Sequence, residues 1–236
     1  MKKISIFVLM MLSTAFMPDV LLVNTAYAST DNKTPSSAKF KVYKVYMYNS
    51  EYCTGSYQTP FTYSDTEAEL KEYVGTTPDL GSGTLDNGTY KCMAVNMSDN
   101  ITFQIATDFA GHATPCLKDT TYWMDLCNNR TYYDPDSGDN NTCTNDYATA
   151  EKTWMYMSTV SDTTYQTTPK VQYHPPTADN TSAGITLGGA LVVSGDSSGK
   201  LVIDLREVID NASGGNGVAN GATMPCYMNA PKFSFE

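Results

Sequence analysis

The run Phe40-Lys41-Val42-Tyr43-Lys44-Val45-Tyr46-Met47-Tyr48 decides the fold class. It is dominated by aromatic and β-branched side chains, which pack well on a pleated surface, and it predicts a strand. Further along, Leu85-Asp86-Asn87-Gly88-Thr89-Tyr90 predicts a turn feeding a strand, because Asn-Gly readily supplies positive φ. Met93, Val95 and Met97 then alternate with Ala94 and Asn96. After Ser98-Asp99-Asn100, Ile101, Phe103 and Ile105 alternate with Thr102 and Gln104, so the pair predicts a β-hairpin with one apolar face. Trp154-Met155-Tyr156-Met157 returns to strand character. Leu191 to Leu205, folded about Gly195-Asp196-Ser197-Ser198-Gly199, predicts a closing hairpin.

One helix is expected. Ser64 can cap the free N–H groups of a helix start while Glu67 reaches back; Ala68, Leu70 and Tyr73 follow, and Gly75 marks the stop. Many strands, turn residues between them and one short helix predict an all-β chain: an antiparallel β-sandwich with a disulfide-rich loop insertion at about 107–150.

The opening strand Phe40–Tyr48, the turn and strand Leu85–Lys91, and the closing segment Leu191–Leu205 occur in an order that resembles a bacterial exported family of unknown function. That family has a transthyretin- or immunoglobulin-like β-sandwich. The resemblance covers about a quarter of the chain beyond residue 28 and implies fold and export, not chemistry.

Residues 1–28 read as a secretory leader. Lys2 and Lys3 precede the apolar run Ile4 to Met17, and Ala26-Tyr27-Ala28 is an A-x-A cleavage site. Pro18 and Asp19 break the apolar run short of the roughly 20 residues a spanning helix needs. A mobile tail is expected over 29–38, and a single domain over 39–236.

Composition narrows the function classes. The chain of 236 residues carries 15 Lys+Arg against 25 Asp+Glu, a net charge of −10, which argues against a nucleic-acid partner. Cleavage after residue 28 would remove Lys2, Lys3 and Asp19 and move that charge to −11. Two histidines leave little for an imidazole-based catalytic or metal centre. The six cysteines, Cys53, Cys92, Cys116, Cys127, Cys143 and Cys226, lack any C-x-x-C spacing. In an exported chain they predict three disulfides rather than a zinc or redox motif. Many pairings are open to them, and a Cys127–Cys143 bridge would close one polar loop.

Four patterns carry candidate chemistry. Tyr132 and Tyr133, inside a polar loop, and Trp123 are candidate ligand-binding aromatics, whose faces stack on apolar faces of a glycan or a protein partner; Trp154 and Tyr122 could extend that platform, the alternative for both tryptophans being a place in the core. Asp134, Asp136 and Asp139 are candidate Ca²⁺ ligands, although the loop fails the EF-hand register because Asn145 stands where a bidentate Glu is required. Gly195-Asp196-Ser197-Ser198-Gly199 is similar to the nucleophile string of chymotrypsin-type proteases, but Ser198 replaces a glycine and neither His112 nor His174 sits in the matching setting. Met93/Met97 and Met155/Met157 could offer thioethers to copper, but they follow strand alternation and fit core filling better. Eight Asn-x-Ser/Thr sequons would mean dense glycosylation in a eukaryotic secretory chain and mere richness in Asn and Thr in a bacterial one; the short Met-Lys-Lys leader favours the second.

These readings lead to an exported, non-enzymatic β-sandwich, secreted or periplasmic. It would act as a binding or structural module and have no membrane span once the leader is removed. The alternatives are a subunit assembling by strand addition, through Lys232–Glu236 or another edge, and a serine hydrolase using Ser197.

Overall fold

The two strongest apolar runs are each bent once, and the bends build the sandwich. The computed structural model describes residues 3–8, 33–63, 68–75, 79–109, 116–127, 129–144, 150–162, 171–195, 200–211, 217–219, 222–224 and 226–235. Strands are numbered along the chain. A five-stranded sheet has the order β14 (Ile185–Thr186), β13 (Lys152–Ser158), β8 (Cys92–Ser98), β3 (Val42–Tyr48), β4 (Tyr57–Thr62). A six-stranded sheet has the order β19 (Ala222–Met224), β18 (Gly217–Ala219), β10 (Tyr122–Asp125), β9 (Asn100–Ile105), β2 (Pro35–Phe40), β5 (Lys71–Glu72).

Only Lys41 separates β2 from β3, and only Asp99 separates β8 from β9. Each run leaves one sheet and enters the other at a single residue, the way corners form between crossed sheets. The amide of Ser98 donates to the Lys41 carbonyl at 3.0 Å, so the two bends lie side by side.

The hairpin expected over Met93–Ile105 is therefore corrected. β8 pairs with β3 and β13, whereas β9 pairs with β2 and β10. The alternation that suggested one wet face has another cause, because every residue of β8 is buried. Met93, Val95 and Met97 enter the main core with Val45, Met47, Met155 and Met157 from the same sheet. Ile101, Phe103, Ile105, Tyr122 and Met124 join that core from the six-stranded sheet. Cys92 and Ala94 belong instead to a second cluster with Tyr46, Tyr48, Trp154 and Tyr156. The paired methionines thus fill the core.

A four-stranded sheet, β21 (Lys232–Phe235), β16 (Lys200–Asp204), β1 (Lys3–Val8), β6 (Asp79–Thr84), completes the larger elements. Three two-stranded ribbons pair β11 (Thr131–Asp134) with β12 (Asp139–Thr142), β7 (Gly88–Tyr90) with β15 (Leu191–Val193), and β17 (Ile209–Asn211) with β20 (Cys226–Met228). The helical element among the described residues is a single 3₁₀ turn, Val171–Tyr173.

Three further expectations change. Of the helix over 64–75, Ser64–Glu67 lie outside the described residues, while Lys71–Glu72 forms β5 against β2. Glu72 explains the preference: its carboxylate accepts from the amides of Ala38, Tyr73 and Val74 and from the Ser37 hydroxyl, locking the extended pairing. Tyr73 is wholly buried and stacks on Phe40 with ring centroids 3.6 Å apart. The tail expected over 29–38 ends earlier, since Lys33 bridges Ile209 and β2 starts at Pro35. The closing hairpin Leu191–Leu205 does not form, because β15 pairs with β7 while β16 pairs with β21 and β1. Lys3–Val8, in the segment expected to be a leader, runs parallel to β16 and antiparallel to β6.

All six cysteines are paired: Cys53–Cys92, Cys116–Cys226 and Cys127–Cys143. The last closes the polar loop, as one of the pairings open to the sequence would. No described helix is long and apolar enough to cross a membrane.

Candidate functional site

The β11–β12 hairpin lies against the second face of the five-stranded sheet. Its turn follows from its sequence. The Asp134 carboxylate accepts from the Asp136 amide at 2.9 Å, an Asx turn, and the Gly138 amide donates to the Asp134 carbonyl at 2.8 Å. Gly138 takes φ +78°, a left-handed conformation that glycine adopts without steric cost. Behind the hairpin, Cys127–Cys143 ties its two roots together.

Aromatic packing seats the hairpin on the sheet. Tyr132 and Tyr133 pack on the cluster of Tyr46, Tyr48, Trp154 and Tyr156. The Tyr46 ring stacks on Tyr57 with centroids 3.8 Å apart and approaches Trp154 at 5.0 Å. At the turn, Lys44 Nζ pairs with the Asp136 carboxylate at 2.7 Å, and the Tyr46 hydroxyl donates to the same carboxylate. His174 Nε2–H donates to the Thr131 carbonyl at 3.1 Å, and burial holds that imidazole below its ordinary pKa.

Where hairpin and sheet meet, a cleft of about 380 Å³ opens. Its aromatic lining is Tyr43, Tyr63, Tyr132 and Trp154. Its polar lining is Asn96, Thr62, two lysines (Lys44 and Lys152) and two carboxylates (Asp134 and Asp136). Lys152 Nζ sits 4.8 Å from the Tyr43 ring centroid, a cation–π contact. Burial, and then the hydrogen bond to Asp136, push the Tyr46 phenol up. Burial does the same for Tyr132. These phenols stay neutral, able to donate as well as accept, across the physiological range.

The candidate residues are distributed unequally over this geometry. Tyr132, Asp134 and Asp136 line the cleft, and Tyr133 packs beside it. Trp123 lies elsewhere: it is on β10, in register with Thr102 and Val218 of the six-stranded sheet, and is 45% exposed. Asp134 and Asp139 are register partners across the hairpin, but the Asp136 carboxylate is turned to Lys44 and Tyr46. The three Asp residues do not form a group of ligand atoms within 4.8 Å among the described residues. Ser197 and His112 lie outside the described residues. Sequence reasoning missed Tyr43, Lys44, Thr62, Tyr63, Asn96 and Lys152; Tyr43, Lys44 and Asn96 read only as strand residues, and all six converge only through sheet pairing.

No protein-family model matches the chain, and no curated protein or solved structure matches it significantly. Fold and cleft alone define the class: an all-β, sandwich-like protein with three disulfides and a hairpin-covered aromatic cleft.

Proposed function

We propose that the protein is an exported, non-enzymatic β-sandwich that binds a glycan-type ligand in the cleft beneath the β11–β12 hairpin, in the periplasm or outside the cell. The observation that supports this reading is the mixed lining: aromatic rings of Tyr63 and Tyr132 beside the Asn96 amide and the Asp134 and Lys152 side chains. Sugars present apolar CH faces and a fringe of hydroxyls, and such a lining offers a partner for each. Cys53–Cys92 in the sheet-side cluster and Cys127–Cys143 at the hairpin's roots cross-link both walls of the cleft, which limits the ordering cost of binding. The test is a glycan array probed with the purified protein and with Tyr132→Ala. Retention of specific glycans by the parent and loss by the variant is expected; equal binding would remove the cleft from the proposal.

A second reading, assembly by strand addition, draws on the four-stranded sheet. There the leader strand β1 fills the place between β16 and β6, and β21 is an edge. Removal of the leader would leave facing edges on β16 and β6 for a strand from another copy. Light scattering of the chain lacking residues 1–28 tests it, and a strict monomer at high concentration would count against it.

A further inference from the structure

A buried carboxylate lies outside the cleft lining, at the bend where β8 becomes β9. Asp99 is the single residue between those strands, and it is fully buried. Its backbone is used completely: its amide donates to the Glu151 carbonyl at 3.0 Å, and its carbonyl accepts from Leu126 at 2.8 Å. One carboxylate oxygen, Oδ1, accepts from the Glu151 amide at 2.7 Å. The other, Oδ2, is buried and has no hydrogen-bond partner.

A second carboxylate stands close to that of Asp99. Asp99 and Glu151 each present a carboxylate oxygen within a group of atoms lying no more than 4.8 Å from one another. The third atom of the group is the Cys143 sulfur, which is bound in the Cys127–Cys143 disulfide and is no thiolate ligand. Asp125, buried on β10, directs a like charge at Asp99. Burial first, and then the Asp125 and Glu151 charges, raise the Asp99 carboxyl to about 6. Glu151 is held in place from the other side, since its carboxylate accepts from the Thr144 amide and hydroxyl at 2.8 and 2.9 Å.

We propose that Asp99 and Glu151 bind a calcium ion at this corner, with Asp125 supplying further negative potential. The donors are hard carboxylate oxygens, the ligand type Ca²⁺ takes at 2.3–2.6 Å, and oxygens sharing such an ion stand up to roughly 5 Å apart. A soft metal has no ligand here, because the sulfur is oxidised. The ion would join the β8–β9 bend to the start of β13, beside the root of the hairpin. Its affinity would fall in the range of extracellular modules, on the order of 10⁻⁴–10⁻³ M. This site is separate from the Asp134, Asp136 and Asp139 turn and does not depend on ligand binding in the cleft.

The experiment is scanning calorimetry of the purified, disulfide-intact protein at pH 7.5 in calcium chloride, in magnesium chloride at matched ionic strength, and in chelator. A rise in Tm of roughly 5 °C at millimolar Ca²⁺ is expected, with little from Mg²⁺. Asp99→Asn and Glu151→Gln should each abolish the rise, while Asp139→Asn should keep it. Where Asp99→Asn fails to fold, Glu151→Gln and calcium competition against terbium luminescence of the parent protein decide the matter. Equal Tm in calcium and chelator, an equal effect of Mg²⁺, or a response lost in Asp139→Asn but kept in Glu151→Gln would overturn the proposal.

Discussion

The hydroxyl of Tyr156, in the middle of β13, donates to the backbone carbonyl of Tyr133 in the hairpin at 2.9 Å. This bond crosses from sheet to hairpin, joining the buried Tyr156 to the half-buried Tyr133. It fixes the height of the hairpin above the aromatic floor, and with it the width of the cleft.

Tyr156→Phe therefore removes a donor and leaves a carbonyl with less than its full complement. We expect a loss of about 1 kcal/mol in urea denaturation. Amide exchange should quicken in 131–142 with little change in the methionine-filled core. Unchanged exchange in the hairpin would show that the bond does not hold it.

The Cys127–Cys143 bridge spans 16 residues. Replacing both cysteines by serine should cost roughly 3 kcal/mol by loop-closure entropy, measured as a lower urea midpoint, with the slope rising as the denatured chain loses its cross-link and exposes more surface. The same double variant should bind more weakly in the glycan array, since the cleft would lose its fixed cover.

Alkaline pH should unfold the protein in a defined direction. Burial raises Tyr173 to about 12. Burial, followed by the hydrogen bond to Asp210, raises Tyr227 to about 12 as well. An unfolded tyrosine titrates near 10, so the folded state keeps its protons longer than the unfolded state. The stability contributed by these two phenols is whole below about pH 10 and is lost as pH rises from there through about 12. Phenolate absorbance and circular dichroism, followed together, should show buried tyrosines ionising only as the fold is lost. Ionisation of every tyrosine near pH 10 with the fold intact would contradict this.

The two tryptophans report separately. Trp123 is 45% exposed and Trp154 is 2% exposed. Trp123→Phe should leave a blue-shifted emission that acrylamide barely quenches, with stability changed by less than about 0.5 kcal/mol. A ligand entering the cleft should perturb this remaining emission, because Trp154 lines the cleft.

Gly184 has φ +76°, and a Cβ there would stand 2.6 Å from Ser161 Oγ, which itself bonds the Ala183 carbonyl at 2.7 Å. Gly184→Ala should cost about 1–3 kcal/mol from backbone strain and the displaced hydroxyl, read as a lower Tm. Pairing it with Ser161→Ala should recover part of the loss if the clash contributes.

Local sequence carried the elements well and their partners poorly. Val42–Tyr48 and Lys152–Ser158 form strands because β-branched and aromatic side chains favour extended backbone whatever lies beside them. The segment 131–142 read only as a polar loop; its turn at Asp134–Gly138 rests on Asx and glycine chemistry acting within a few residues, but the two strands flanking it carried no apolar alternation to announce them. Ser64–Gly75 and Leu191–Leu205 carried equally good local signals for a helix and a hairpin. Yet Glu72 bonds across to β2, and β15 leaves for β7, because long-range pairing gave these segments better partners than their neighbours offered.

Alternation alone could not distinguish a strand with one wet face from one buried on both faces, and β8 is of the second kind. Nor could spacing reveal that Trp154 rather than Trp123 joins Tyr132, since that depends on which sheet each strand enters.

By itself the sequence determined an all-β chain, three disulfides, a polar loop and an absence of basic footprint, all properties of composition and short-range chemistry. The tertiary structure decided where the chain bends, at Lys41 and Asp99, and so which side chains meet. The cleft and the buried carboxylates of the corner belong to that second category. Both join residues distant in the chain, and only the register of paired strands brings such groups within reach of one another.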